Sequence, residues 1–402
     1  MTRPYTDPDW LRDHAIDVLE FYYPACVDEE RGGHVAQIDE ATGEVYDPDP
    51  RHLVATCRFV ANFSLGAALD GPDWCGWEAA RGFAFLRNRH RDRDRGGYAW
   101  LLDGTDVADA TRSAYGHAFV LLAHARAGEA GVREAKAGLS GVFDLLDAYF
   151  WEDDHGLHRS RLDADWEPIE TYRGQNANMH ACEALLAAHA FTGKDRYLDR
   201  AATVARRLAV DLAGPTDGRI WEHYTSGWDH DFSYNREAPA DQFRPWGYQP
   251  GHHAEWAKLL AVLDRRTDAD WPLERAADLF EYAVGPGWDE RRGGLYYTLD
   301  REDDPLIEEK YGWPVAEAVG AAAALYERTG EGRYLEWYDR LWSYATETPV
   351  APGGNWYAKC TPGGEPLPTA EGPAVEPGYH PVGACWEARR SLSAVEGSGD
   401  RG

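Results

Sequence analysis

The heptapeptide Pro250-Gly251-His252-His253-Ala254-Glu255-Trp256 is the stretch best suited to acid–base chemistry. A Pro-Gly breaker is followed by two histidines, and Glu255 stands three residues after His252, at the head of an apolar run that ends at Leu263. Positions i and i+3 share a helix face, so the two side chains can touch. A carboxylate beside an imidazole fixes its tautomer and stabilises its charged form, which is a common way to build a general base. The same spacing also describes a capped helix start with a surface His–Glu pair, so the motif has to be weighed with the rest of the chain.

Similar polar groups head other apolar runs: Tyr115 and His117; Asn176, Asn178 and His180; Trp313 and Glu317; His380 and Glu387. Arg58 lies deeper in Ala55-Thr56-Cys57-Arg58-Phe59-Val60. Each has a structural reading. Asn176 suits a helix N-cap, His180 a satisfied core histidine, Trp313 simple packing, Glu317 a helix-surface charge, and His380 a capped start before Pro381. His117, with no carboxylate at helical spacing, and His253, one position off the His252 face, are read as structural. Polar groups on helices otherwise made of Ala and Leu must be paired or must face a water-filled cleft. A ring of them in an aromatic cup has the form of a small-molecule site. Three histidines and two glutamates also suggest a metal site, but HExxH spacing is absent and the histidines come from three separate runs. No metal or other cofactor is expected.

The elements that must position these groups repeat along the chain. A glycine turn beside aromatic and acidic residues occurs at Gly33, Gly97, Gly156, Gly218, Gly294 and Gly354, at spacings of 64, 59, 62, 76 and 60 residues. Glycine supplies the positive φ of tight turns, and the flanking aromatics suit short strands. Each turn lies between two helical patterns. The preceding ones, 10–23, 74–89, 133–150, 195–212, 271–284 and 332–345, are amphipathic. The following ones, 52–69, 109–126, 176–192, 251–263, 311–328 and 379–392, are apolar nearly all round, as buried helices are. Six outer-helix, hairpin, inner-helix units predict an all-α fold: one (α/α)6 barrel over residues 1–395, with short β-hairpins at its mouth. An open solenoid of the same units would want polar capping repeats, which the first and last units lack. The fourth unit is longer, and its excess, within 221–250, is expected to fold over the mouth. Residues 396–402 read as a disordered tail.

Composition narrows the function. The 402 residues carry a net charge of −28, and only five of the 41 basic residues are Lys. Such a surface is poorly matched to nucleic acid or anionic membrane. It resembles a halophile-like surface, for which stability should rise with added KCl. The 17 Trp and 22 Tyr suit a saccharide site. Six Cys without a CxxC pair read as reduced, buried thiols of a cytoplasmic protein. No apolar h-region opens the chain and no run reaches membrane-spanning length. A monomer or weak homodimer is expected.

Taken together, the stretches Asn176-Ala-Asn-Met-His180-Ala-Cys-Glu183, Pro250-Gly-His252-His-Ala-Glu255-Trp256, Trp313-Pro-Val-Ala-Glu317 and Tyr379-His380-Pro381 resemble the N-acylglucosamine 2-epimerase superfamily. The stretches Gly96–Gly104, Ala114–Ala123 and Phe243-Arg244-Pro-Trp246 are most similar to its mannose isomerase and sulfoquinovose isomerase branch. The resemblance implies an (α/α)6 barrel and metal-free aldose–ketose isomerisation of a monosaccharide, D-mannose to D-fructose and also D-lyxose to D-xylulose. It matches His252 and His380 to an acid/base pair, and Arg58, Asn176, His180, Glu255, Trp313 and Glu317 to sugar-binding and supporting positions. Tyr115 and Arg244 join them, with Arg244 a candidate reader of an anionic C6 substituent. Val54 stands where some relatives carry an aromatic. On this reading His252, oriented by Glu255, opens the sugar ring. His380, oriented by Glu317, shuttles a proton from C2 to C1, and Arg58 and His180 stabilise charge on O1 and O2. Alternatives are a sugar 2-epimerase of N-acylglucosamine or cellobiose type, a sulfoquinovose isomerase, a glycoside hydrolase using Glu255 and Glu317, or a non-catalytic sugar-binding scaffold.

Overall fold

A computed structural model describes residues 4–241, 243–368 and 374–399. Among them, helices alternate between an outer and an inner ring. The outer ring holds α1 (Pro8–Tyr22), α3 (Trp74–Phe85), α5 (Arg133–Leu145), α7 (Asp195–Arg206), α9 (Trp271–Val284) and α11 (Gly332–Glu347). The inner ring holds α2 (Leu53–Ala68), α4 (Ala114–Glu129), α6 (Gln175–Thr192), α8 (Pro250–Asp264), α10 (Gly312–Thr329) and α12 (Tyr379–Gly399). Each inner helix packs on the next, and α12 packs back on α2, so the ring closes. That closure excludes the open solenoid.

Sequence pattern sets the two rings apart. In α5 the buried residues are Ala135, Leu139, Val142 and Phe143, and in α7 they are Tyr197, Ala201, Val204 and Ala205. Both sets follow i, i+4, i+7, i+8, a single apolar stripe, and each large side chain in it is worth about 1.5–3 kcal/mol of burial. In α10, by contrast, Val315 to Leu325 is buried without a break. The helix starts are built locally. His52 and Ser113 accept from the backbone N–H groups of Val54 and Gly116, and Pro250 occupies the first turn of α8. Gly193 and Gly330 end α6 and α10 with positive φ.

Short strands stitch neighbouring units at the mouth. Pro50–His52 pairs with Leu101–Asp103, Arg112–Ser113 with Arg161–Leu162, Arg173–Gly174 with His223–Tyr224, and Lys310–Tyr311 with Lys359–Cys360. In each pair, the strand leading into one inner helix meets the hairpin of the following unit. Gly33, Gly97 and Gly294 have φ of +70°, +73° and +74° and lie against the rings of Phe85, Trp166 and Tyr344, where a Cβ would collide.

Two boundaries differ from expectation. The inner helix sought from residue 109 begins at Ala114, because Asp106–Asp109 extends a hairpin and Ser113 caps the helix. Helix α12 runs to Gly399, through part of the segment read as a disordered tail; residues 400–402 lie outside the described residues. All six cysteines are free and buried, and no helix among the described residues is long and apolar enough to cross a membrane.

Candidate active site

The inner helices present two layers of side chains at the mouth. Their second residues are Val54, Tyr115, Asn176, Gly251, Trp313 and His380; their sixth are Arg58, Phe119, His180, Glu255, Glu317 and Ala384. The layers lie about one helical turn apart. Arg58, deeper in its run by sequence, is thus level with His180, Glu255 and Glu317. A cavity of about 640 Å³ opens here, lined by Arg58, Tyr115, Asn176, His180, His252, Glu255, Trp313 and His380, among others. Ala240, Phe243 and Pro245 from the long fourth-unit loop also line it, which places that loop over the mouth.

His252 is not held by Glu255. Its Nδ1 lies 2.9 Å from Glu222 Oε1, in the hairpin of the same unit. Trp256 Nε1 donates to Gln175 Oε1 at 2.8 Å, which turns the Gln175 amide nitrogen toward Glu222 Oε2, 2.9 Å away. Nδ1 thus stands 2.9 Å from both the Glu222 carboxylate and the Gln175 amide nitrogen; the carboxylate can only accept, so Nδ1 turns its proton to Glu222 and Nε2 is left for chemistry. Burial opposes ionisation of Glu222, but His252 and Gln175 outweigh it and lower its pKa, so Glu222 is a carboxylate. Glu255 points elsewhere: its Oε1 lies 3.7 Å from His180 Nδ1 and has no hydrogen-bond partner. Burial, with Glu317 nearby, raises its pKa well above the usual range, so it is a neutral acid. Helical i, i+3 spacing brings His252 and Glu255 to one face without turning their side chains together.

His380 does pair with Glu317, at 2.6 Å from Nδ1 to Oε1. The other Glu317 oxygen accepts from Lys258 Nζ, which is buried on α8. The Trp313 ring stands between the two histidines, its centre 5.1 Å from that of His252 and 5.5 Å from that of His380. Gly251 lets it sit there, since a Cβ would come within 2.5 Å of the indole.

Arg58 is buried beneath the Phe119 and Tyr379 rings, donates to Val375 O at 2.9 Å, and is paired with Glu376. Its partner is therefore Glu376. Tyr115 Oη lies 3.4 Å from its Nη2. Asn176 is not a cap; its Oδ1 is buried with no partner among the described residues. His180 Nδ1 meets Glu183 at 3.0 Å, and burial lowers its pKa to about 4. It is a neutral ring with Nε2 left as an acceptor, so it suits a sugar hydroxyl rather than a developing oxyanion.

The profile of the N-acylglucosamine 2-epimerase (GlcNAc 2-epimerase) family matches residues 32–384. The chain belongs to this family. It is 39% identical to D-mannose isomerase of Marinomonas mediterranea over 386 residues, covering 96% of this chain and 97% of that one. A crystal structure of D-mannose isomerase is similar with a TM-score of 0.92 at 38% identity, over 96% of this chain and 98% of that one. A cellobiose 2-epimerase from Spirochaeta thermophila shares the fold, with a TM-score of 0.80 at 22% identity over 96% and 98%. The chain is an isomerase.

Within this family member, His117 and His253 are structural, as their sequence setting indicated. Each binds a carbonyl four residues back through Nδ1 and accepts a hairpin N–H, from Tyr98 or Ile220, through Nε2. Arg244 is absent from the cavity wall. Its guanidinium stacks 3.9 Å over Tyr172 and is bound by Glu170 and Tyr234, so it anchors the loop instead of reading a substituent. Glu387 pairs with Arg265, away from His252 and His380. Sequence reasoning missed Glu222, Gln175, Lys258 and Glu376. Lys258 had a signal, a lone cation inside an apolar inner helix; Glu222 had only its place beside a hairpin aromatic. Two groups, His180–Glu183–Glu255 and Glu255–Glu317–His380, bring ligand-type atoms within 4.8 Å of one another. In the second, Glu317 is already committed to His380 and to the Lys258 ammonium, which fills the place of a cation.

Proposed function

We propose that the protein is a metal-independent aldose–ketose isomerase that converts D-mannose to D-fructose, and D-lyxose to D-xylulose. The observation that carries this reading is the pair of carboxylate-backed histidines on either side of Trp313, in a cup roomy enough for a sugar. The cyclic sugar opens first: the His252 imidazolium, stabilised by Glu222, delivers its Nε2 proton to the ring oxygen as the bond from that oxygen to C1 breaks, and the O1 hydroxyl proton returns to Nε2 as the C1 carbonyl forms. His380 then takes the C2 proton and returns it to C1 of a cis-enediol, while the O2 hydroxyl proton moves to O1. Arg58 stabilises charge on these oxygens. A base acting on one face suffices for isomerisation, whereas 2-epimerisation needs reprotonation from the other.

A second assignment interchanges the histidines, because His380 carries carboxylates at both ring nitrogens. A three-carbon aldose that cannot close a ring separates the two. His252→Asn should retain C2–H exchange on it in the first assignment and lose it in the second. The hydrolase reading is disfavoured, since Glu317 is fully engaged and Glu255 is not a free carboxylate.

The test is NMR of the purified protein with D-mannose, D-lyxose, D-glucose, N-acetylglucosamine, cellobiose and sulfoquinovose, with and without EDTA. Conversion of mannose and lyxose to ketoses, unaffected by EDTA, is expected. Only C2 epimers, new reducing ends from cellobiose, ketose from sulfoquinovose alone, or loss of turnover with EDTA would replace the proposal.

A further inference from the structure

His380 has a carboxylate at each ring nitrogen. Nδ1 lies 2.6 Å from Glu317 Oε1, and Nε2 lies at ion-pair distance, 3.5 Å, from Glu376 Oε1. Carboxylates only accept, so this arrangement suits a ring that carries both its protons. Glu376 is held in place by Arg58, which contacts the same oxygen and also donates to Val375 O. Nε2 is the atom through which carbon chemistry must run, because Nδ1 is committed to Glu317. An Nε2 that bears a proton and faces a carboxylate cannot take one from carbon.

We propose that Glu376 is a positioning residue that keeps His380 doubly protonated and non-basic in the empty cup, and that a sugar entering between them switches the base on. The idea rests on the isomerase reading for its purpose, but not for its measurement. The Glu376 side chain is 32% exposed, so it borders the open cavity and can be displaced; on displacement, the Nε2 proton leaves to water through the mouth.

The other charged or titratable groups around His380 do not substitute for Glu376. Glu317 from α10 also favours the charged ring, at Nδ1, but shares its charge with Lys258 from α8 and does not reach Nε2. Glu255, also from α8, is neutral, and so is His180 from α6. Arg58 from α2 is paired with Glu376 itself, and burial keeps the adjacent Tyr379 phenol neutral. Burial alone would lower the pKa of His380; Glu376 and Glu317 outweigh it and raise it to about 10. Glu376 remains a carboxylate, because Arg58 and His380 overcome the effect of its burial.

Ring-¹⁵N NMR of histidine-labelled protein reads this state without turnover, with His380 assigned by its loss in His380→Gln. In wild type at pH 8 without sugar, both His380 nitrogens should be protonated. The midpoint should fall by at least one pH unit in Glu376→Gln, stay near wild type in Glu376→Asp, and fall in wild type saturated with D-fructose. The acid limb of kcat/KM, which reports the free enzyme, should move down in Glu376→Gln by the same amount. A neutral His380 in empty wild type at pH 8, or a midpoint unmoved by Glu376→Gln, overturns the proposal. A shifted midpoint in a protein that converts no sugar supports the charge-setting role and overturns the isomerase reading instead.

Discussion

Glu222→Gln should cripple turnover while Glu255→Gln should leave most of it. Glu222 accepts from His252 Nδ1 at 2.9 Å and is a carboxylate. A glutamine there keeps the shape but can present an N–H to Nδ1, which pushes the imidazole proton onto Nε2 and leaves the wrong tautomer. A positioned acid/base group is worth about 10²–10⁴ in rate, so kcat should fall by that factor, about 2.7–5.4 kcal/mol of barrier. Glu255 is held neutral by burial and by Glu317. Glutamine is close in shape to a neutral carboxylic acid, so Glu255→Gln should cost less than about tenfold, the scale of one modest hydrogen bond. The assay is initial-rate ketose formation from D-mannose at saturating sugar, with melting temperatures confirming that both variants fold. A Glu255→Gln enzyme that loses 10²-fold or more while Glu222→Gln works normally would refute the reasoning and restore the helical His252–Glu255 pair.

His252→Ala and His380→Ala should each lose at least about 10² in turnover with D-mannose, and near-wild-type activity in either removes it from the mechanism. Lys258→Met should destabilise by about 3–5 kcal/mol in urea unfolding, because it leaves Glu317 buried without its ammonium partner; an unchanged midpoint would show that Lys258 does not carry that charge. The folded-state pKa of His380 is about 10, above the ordinary value of 6.5. Its pairing therefore stabilises fully below about pH 6.5, and the gain is lost as pH rises through about 10. The stability difference between wild type and His380→Gln should shrink across that window, and a difference that grew would contradict the ion pairing.

The fold was largely legible because it is repeated. Six glycine turns, each flanked by an amphipathic and an all-round apolar helix, gave the ring order, and most helix bounds fell within a few residues of those observed. The histidines were legible for a related reason: a polar residue on an Ala- and Leu-rich helix has to face either a partner or a cleft. What stayed hidden were partners supplied by other elements. Glu222 reaches His252 because the strand Arg173–Gly174 pairs with His223–Tyr224, a tertiary register that no local spacing encodes. The Glu317–His380 pair, by contrast, is already given by the family resemblance, and the ring order makes the two helices neighbours. Glu376 lies in an irregular stretch between Pro373 and Pro377, where neither periodicity nor spacing marks a residue. Arg244, expected to meet an anionic C6 substituent, is instead engaged by Glu170 and Tyr172 from the neighbouring unit, which its own stretch of sequence does not reveal.

The central claim is tested most directly by incubating the purified protein with D-[2-¹³C]mannose and following the label by ¹³C NMR. The account predicts that the label leaves the aldose C2 position and appears at the hemiketal C2 of D-fructose, with no added metal. A label that remained on an unchanged aldose, or moved only to C2 of D-glucose, would contradict it.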